Sequence, residues 1–295
     1  MGPEPHIAIF EAQRPRLVRL AYRMLGSMAE AEDIVQDAWL RWQQADREDV
    51  RVPDAFLTRI VTRLCLDAMK SARARREVYP GAWLPEPMVE PEETPRLDEL
   101  TLTLMLALER LSPLERAAFL LHDVFGEPAD AVGRTLDRDA AAVRQLASRA
   151  RRHVQEVRPR YKVEREEGER IARAFFAASS SGDTASLQAL LAETVVLTSD
   201  GGGKVLAFRN PIFGMARALR LFKSLHRKQA DDPPQFLRPA WIDGLPGYIS
   251  RERGGLLQTT ALDIDEGRIV AIYITRNPDK LGEVARHLSG GTGHA

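Results

Sequence analysis

The stretch Ala31-Glu-Asp-Ile-Val-Gln-Asp-Ala-Trp-Leu-Arg-Trp42 decides how the chain is read. Val35, Trp39 and Trp42 fall at i, i+4 and i+7, the spacing of one helix face, while Glu32, Asp33, Gln36 and Asp37 take the other. An apolar stripe opposite an acidic, amide-bearing face predicts a surface helix whose polar side is free to meet a partner. Before it, Leu17, Leu20, Ala21, Met24 and Leu25 repeat at helical spacing until Gly26-Ser27 ends the segment. After it, Pro53-Asp54 marks a restart, and Phe56, Ile60, Leu64 and Ala68 run at period four as an apolar stripe. Residues 7–76 are expected to be helical throughout, and no strand pattern occurs before residue 190.

The 295 residues suffice for two or three domains, and 44% hydrophobic with 28% charged residues is the balance of a folded globular protein. No apolar run is long enough for a membrane span, and the first residues lack the basic and apolar regions of a secretory signal. A cytoplasmic location without membrane attachment is expected. Cys65 is the single cysteine, which excludes an internal disulfide, and the six His residues are scattered without metal-ligand spacing. Neither a metal nor a cofactor is expected.

The net charge is zero, 42 basic against 42 acidic residues, but the signs are segregated. Segment 51–76 carries seven Lys/Arg against two Asp, segment 80–133 three Arg against eleven acids, and segment 134–160 eight Arg against three acids. Two basic blocks around an acidic one suit two polyanion-binding surfaces joined by a connector that must not bind polyanions. Segment 204–228 has seven basic residues and no acid, and could face either the acidic connector or DNA.

Residues 79–99 read as that connector. Pro80, Pro85, Pro87, Pro91 and Pro95 interrupt regular structure, and Trp83 within it is expected to dock on a domain surface. From 100 to 160 the helical signal returns. Ser112-Pro113 opens one helix, and Pro128 to Leu136, Asp137-Arg138 and the helix from Asp139 form a helix-turn-helix pattern. In its last helix Val143, Leu146, Ala147, Ala150 and Val154 face inward. Arg144, Gln145, Ser148, Arg149, Arg151 and Arg152 face outward, the side-chain types that meet phosphates and base edges. Asp137 stands where the tight turn usually has glycine, and Arg138 where an apolar residue is common. Residues 161–295 read as α+β: helices over 163–180, 183–192 and 216–228, then strands around Val195–Thr198, 241–243, 247–250, 256–261 and 268–274, with Asp200-Gly201-Gly202-Gly203 as a permissive turn.

With these motifs in place, Glu11–Arg76 resembles region 2 of the sigma-70 superfamily in its extracytoplasmic-function form, through Leu20–Gly26, Ala31–Trp42 and Phe56–Asp67. Residues 100–157 resemble region 4. The resemblance implies that Asp33, Ile34, Gln36, Asp37 and Trp39 dock on the β′ coiled coil of RNA polymerase core, although Ile34 and Trp39 could equally be plain core. It implies that the loop 45–54, with Arg51 and Asp54, captures a flipped minus-10 base. Arg59, Arg63, Lys70, Arg73 and Arg76 would line the single strand. Many relatives carry Asn where Arg63 stands. Arg138 and the helix from Asp139 to His153 would read minus-35 promoter DNA.

The last 130 or so residues resemble a SnoaL-like domain, the nuclear transport factor 2-like cone. Trp83-Leu84-Pro85, Asp200-Gly201-Gly202 and Asn277-Pro278-Asp279-Lys280-Leu281 are similar to short motifs of a subgroup that fuses this domain to a sigma factor. The fold class implied is multidomain: two all-α domains, region 2 over 1–78 and region 4 over 100–160, with the connector 79–99 between them and an α+β cone after them. The function implied is promoter-specific initiation without enzyme chemistry, modulated from within by the cone. An unidentified small ligand of the cone's pocket is a further partner. Asp200 remains open between turn capping, interdomain contact and acid-base chemistry with His226. Rival readings are a ligand-sensing DNA-binding regulator and a bifunctional enzyme.

Overall fold

The computed structural model describes residues 5–45, 50–77, 79–90, 101–155 and 163–290, leaving aside the side chains of residues 5, 71–77, 155 and 289–290. The chain forms two compact units, Met1–Val78 with Met105–Val157 and Tyr79–Leu104 with Arg158–Ala295.

The first unit begins with α1 (Pro5–Leu25), α2 (Met28–Gln44) and α3 (Pro53–Glu77). Ser27 caps α2 by accepting the Glu30 N–H at 3.3 Å, and the helix buries Ala31, Val35, Ala38 and Trp42. In α3 the central buried row is Leu57, Val61, Cys65 and Met69, one residue later than the expected stripe. Phe56, Ile60, Leu64 and Ala68 are half-buried. The physical reason is that α3 packs on both α1 and α2, so two adjacent apolar rows are covered and the later one takes the centre. Burial pushes the Cys65 thiol far up, which leaves it an inert core residue.

The same unit continues through the end of α4 (Leu102–Leu108), α5 (Pro113–Phe119), a π-helical turn at Leu120–Val124, α6 (Ala129–Leu136) and α7 (Ala140–Gln155). A capping box starts α5: Ser112 Oγ accepts the Glu115 N–H, and Glu115 accepts the Ser112 N–H at 3.0 Å. Asp137 ends α6 in the left-handed region (φ 53°, ψ 51°), where its short polar side chain is tolerated in place of glycine. Asp139 Oδ1 accepts the Ala142 N–H at 2.7 Å and so starts α7, which buries Val143, Ala147, Ala150 and Val154.

The second unit is built on α8 (Arg165–Ser181), α9 (Thr184–Leu190), β1 (Leu191–Asp200), β2 (Ile212–Phe213), α10 (Met215–Lys228), β3 (Gln235–Ile242), β4 (Leu245–Glu252), β5 (Leu256–Asp265), β6 (Arg268–Thr275) and α11 (Gly282–Gly290). Two expectations need correcting. The helix expected to run to 192 turns into strand at Leu191, and β3 starts at Gln235, well before Trp241. The missed signal for the β3–β4 hairpin is Asp243-Gly244, both at positive φ, the dipeptide that favours such tight turns.

The sheet order is β2-β1-β6-β5-β4-β3, with β1 parallel to β6 and all other neighbours antiparallel. Side chains alternate between its faces. Trp241, Tyr248 and Ile272 join Phe175 and Phe222 of α8 and α10 in one core. Ala240, Ile242, Leu245 and Ile249 point to the other face, where Leu281 and Val284 cover them together with Val89 of the connector and Leu102 at the start of α4. This is the expected α+β cone. The connector is no tether here, because its residues complete one of the cone's cores. Among the described residues, no helix is long and apolar enough to cross a membrane.

Candidate DNA and polymerase surfaces and the connector clasp

On α2, Asp33, Gln36 and Asp37 are exposed. Ile34 is half-buried, and Trp39 is half-buried with its ring 4.9 Å from Phe10 and stacked on His6 at 6.1 Å. Leu40, 47% exposed, stands one helical turn past Gln36 and Asp37 on the same face. The sequence reading passed over it because it lies outside the polar pattern.

On α3 and before it, Arg51, Asp54, Arg59 and Lys70 are exposed and Arg63 is half-exposed. Lys70 pairs locally with Asp67 at 2.7 Å. The side chains of Arg73 and Arg76, and residues 46–49 of the loop, lie outside the described residues. Arg63 hydrogen-bonds Asp137, and Arg59 lies 3.7 Å from the same carboxylate. The turn of the helix-turn-helix thus engages two of the arginines assigned to the minus-10 strand. Asp137 is 68% exposed, so this pair is shallow.

Two further contacts tie the regions together, and no sequence pattern announced them. Arg16 of α1 donates to Glu127 at 2.6 Å and to Thr58 at 2.9 Å. Arg116 of α5, 1% exposed, donates to Leu108 O at 2.9 Å and to Met24 O at 2.7 Å, and pairs with Glu109 at 2.7 Å. Burial lowers its guanidinium to about 9. In sequence it stands beside Glu115 just ahead of the apolar run Ala117–Phe119, and nothing local marks it as buried.

On α7, Arg144, Gln145, Ser148, Arg149 and Arg152 form one exposed face. Arg151 is held by Asp123 at 2.8 Å, and Arg138, also exposed, donates to Asp137 O at 2.8 Å.

In the second unit the three short motifs converge, for a topological reason. Because β1 and β6 are parallel neighbours, with Asp200 beside Thr275, the segments leaving both strands emerge at one end of the sheet. Asp200, 0% exposed, receives hydrogen bonds on its carboxylate from Tyr79 Oη (2.6 Å), the Leu84 N–H (2.9 Å), the Gly202 N–H (3.0 Å) and Lys280 Nζ (2.7 Å). Its own carbonyl accepts the Arg276 and Asn277 N–H groups at 2.8 and 3.0 Å. Asn277 accepts the Asp279 N–H, which shapes a 3₁₀ turn over Pro278–Lys280, and donates to Tyr79 Oη at 3.0 Å. That turn sends Lys280 back over the rings of Trp83 (4.3 Å) and Tyr79 (5.0 Å), where it also donates to Leu84 O. Asp279 pairs outside with Lys204 at 2.6 Å, and Leu281 enters the core with Leu102 and Ile249.

The glycines permit close approach. A Cβ on Gly202 would meet the Asn277 amide at 2.4 Å and one on Gly203 would meet Pro80 at 2.5 Å, and both residues have positive φ. The Gly201 carbonyl accepts the Lys204 N–H at 3.0 Å. Beyond the clasp, Pro85, Glu86 and Pro87 are buried, Val89 bridges to Ile242, Glu90 N–H donates to Trp241 O at 2.9 Å, and Thr103 Oγ1 donates to Asp263 at 2.8 Å. Burial, together with the Asp200 carboxylate, raises the Tyr79 hydroxyl far above its ordinary range, so it stays a donor. Tyr79 escaped the sequence reading, although a second aromatic four residues before Trp83 in a Pro-rich stretch was the available signal.

Asp200 therefore caps the Gly turn and holds the connector at once. His226, the imidazole considered with it, has Nδ1 2.8 Å from Ser180 O, and neither residue lines the cone's cavity. The described part of the connector docks on β1, β3 and the clasp, and Lys204 of the basic segment 204–228 pairs with Asp279. Residues 91–100 lie outside the described residues.

A helical unit with a helix-turn-helix and two arginine-bearing surfaces, joined in one chain to a cone, is the architecture of a promoter-recognition factor with an appended domain. Residues 9–75 match Sigma-70 region 2 and residues 101–154 match Sigma-70 region 4. The chain is 36% identical to the ECF RNA polymerase sigma factor SigJ of Mycobacterium tuberculosis, over 93% of this chain and 92% of that one. It is 34% identical to the probable ECF RNA polymerase sigma factor SigI of the same species, over 98% and 99%. The crystal structure of M. tuberculosis SigJ superposes with a TM-score of 0.74 at 33% identity, covering 93% of this chain and 98% of that one. The chain belongs to the extracytoplasmic-function sigma factors, of the kind that carry a C-terminal SnoaL-like domain. It works with RNA polymerase core on promoter DNA in transcription initiation.

Proposed function

We propose that the SnoaL-like domain regulates initiation by holding the connector between region 2 and region 4. The observation that carries this reading is that Tyr79–Leu104 belongs to the same compact unit as the cone, through the Asp200–Lys280 clasp and the Val89–Ile242 bridge. The minus-10 and minus-35 elements lie about 25 base pairs apart, roughly 85 Å at 3.4 Å per pair. A fully extended connector of residues 78–104 reaches about 90 Å. Regions 2 and 4 span part of that distance and the connector the rest, so docking the connector on the cone shortens the reach available to them. The contacts of Asp137 with Arg63 and Arg59, of Arg16 with Glu127 and of Arg116 with Met24 O favour a resting form in which regions 2 and 4 stay together.

In the active form, Asp33, Gln36 and Asp37 meet the β′ coiled coil of the polymerase with Leu40 and the exposed parts of Ile34 and Trp39. Arg51, Asp54, Arg59, Arg63, Lys70, Arg73 and Arg76 engage the minus-10 strand. Arg138, Arg144, Gln145, Ser148, Arg149 and Arg152 engage minus-35 DNA, and Arg151 joins them on leaving Asp123. The factor performs no bond chemistry of its own.

The test is single-round transcription with bacterial core polymerase on a promoter from upstream of its own operon, comparing the full-length protein with Trp83→Ala and Lys280→Met. Both variants should change transcript yield at least twofold while still co-eluting with core. Unchanged yield in both would sink the regulatory reading.

A further inference from the structure

The cone holds a partly open cavity of about 280 Å³ between α8, α10 and the sheet, just below the usual size of small-molecule sites. Its wall is mostly apolar and aromatic, with Phe175, Phe176, Phe222, Tyr248 and Ile274 among the residues that form it. Arg276 breaks that pattern. Its Nη1 donates to Leu206 O at 2.7 Å, whereas its Nε is buried and has no acceptor. A buried guanidinium donor without a partner costs free energy that an incoming acceptor would recover. The Nε/Nη2 edge of an arginine is also the edge that takes a carboxylate with two parallel hydrogen bonds.

Burial disfavours the Arg276 guanidinium and the charge of Glu252, which lines the same cavity, favours it, but the Glu252 oxygens accept from the Ser250 hydroxyl at 2.7 Å and the Gln229 amide at 3.4 Å and leave the Arg276 Nε without an acceptor. With exposed Lys228 also in the wall, the lining carries two cations against one anion, which suits a singly charged anion. The cavity also touches the clasp, because the Arg276 N–H is bonded to Asp200 O.

We infer that this cavity is a binding site for a small amphipathic carboxylate, its apolar body among the phenylalanines and its carboxylate on Arg276. The inference deepens the regulatory reading by naming the class of signal, and its test needs no transcription, so the two can fail separately.

The probe is 1-naphthaleneacetate, with 1-naphthaleneacetamide as its neutral match, titrated calorimetrically into the full-length protein. The carboxylate should bind at least tenfold more tightly than the amide. Arg276→Gln should remove that preference, and Leu221→Trp, which fills the cavity, should abolish binding of both while the thermal transition is kept. The inference is overturned by equal affinities for acid and amide in the unaltered protein. It is equally overturned by no binding of either at millimolar concentration, or by a preference that survives Arg276→Gln.

Discussion

Replacing Lys280 by Met isolates the clasp. The change removes the Nζ donor to Asp200 Oδ2 at 2.7 Å and to Leu84 O, and the cation 4.3 Å from the Trp83 ring, while keeping a flexible chain of similar length. Asp200, fully buried, is left as a charge without its counter-ion. Breaking one side of a buried pair costs about 3–5 kcal/mol, and since Lys280 is 13% exposed the lower end applies, about 3 kcal/mol. Each 1.4 kcal/mol is a factor of ten, so docking of the connector should weaken by about a hundredfold. Hydrogen exchange of residues 79–90 reads this directly, because the Leu84 amide is protected by Asp200. The expected result is exchange about a hundredfold faster there, with β5 and α7 unchanged. The double variant Asp200→Asn/Lys280→Met, which removes both charges, should recover at least tenfold of that protection. Exchange within threefold of the unaltered protein, or a double variant no better than the single, would refute the assignment of a charged clasp.

Four further outcomes are expected. Asp137→Asn weakens a shallow pair worth about 0.2–1 kcal/mol, so promoter affinity by electrophoretic shift should rise by no more than about fivefold, and less at high salt. Arg116→Ala, which removes the ion pair to Glu109 and the donors to Leu108 O and Met24 O from a buried site, should destabilise the helical unit by about 3 kcal/mol in urea denaturation. Gly203→Ala, with its Cβ 2.5 Å from Pro80, should speed exchange of residues 79–84 without moving α8. Burial raises the Asp263 carboxyl above its ordinary 3.8, so the folded state holds that proton more tightly than the unfolded chain. Its contribution is favourable at low pH and is lost as pH rises above 3.8. Asp263→Asn, which can still accept from Thr103, should therefore raise stability at pH 7 and leave it unchanged near pH 3.

Much of this architecture was legible because it depends on local spacing. The alternation along α7 put Val143, Ala147, Ala150 and Val154 inside and Arg144, Gln145 and Arg149 outside. Gly26-Ser27 marked the first helix boundary, and Trp83 in a Pro-rich stretch implied docking. The α3 stripe was displaced by one residue because Phe56 and Leu57 both open apolar rows, and only packing against two helices chooses between them. Asp200 could not be resolved from sequence for a different reason. Its partners are Tyr79, Leu84, Gly202 and Lys280, and their convergence follows from the parallel β1–β6 pairing, which no local pattern encodes. The engagement of Asp137 with Arg59 and Arg63 is invisible for the same reason, since the pairs are set by how α3 meets α6.

Burial of the connector on the cone also sets an order of events during synthesis. Val89 and Leu102 leave the ribosome before the strands and the Leu281–Val284 segment that cover them. At about 5–20 residues per second, the interval between Leu102 and Val284 is roughly 10–40 s. For the last roughly 6–25 s of it, after Val157 has been made, regions 2 and 4 are able to fold while the segment joining them has no complete sheet to lie on. The two promoter-reading regions are thus made before the surface that holds the segment joining them, and the restraint proposed above can form only after Val284 has been made.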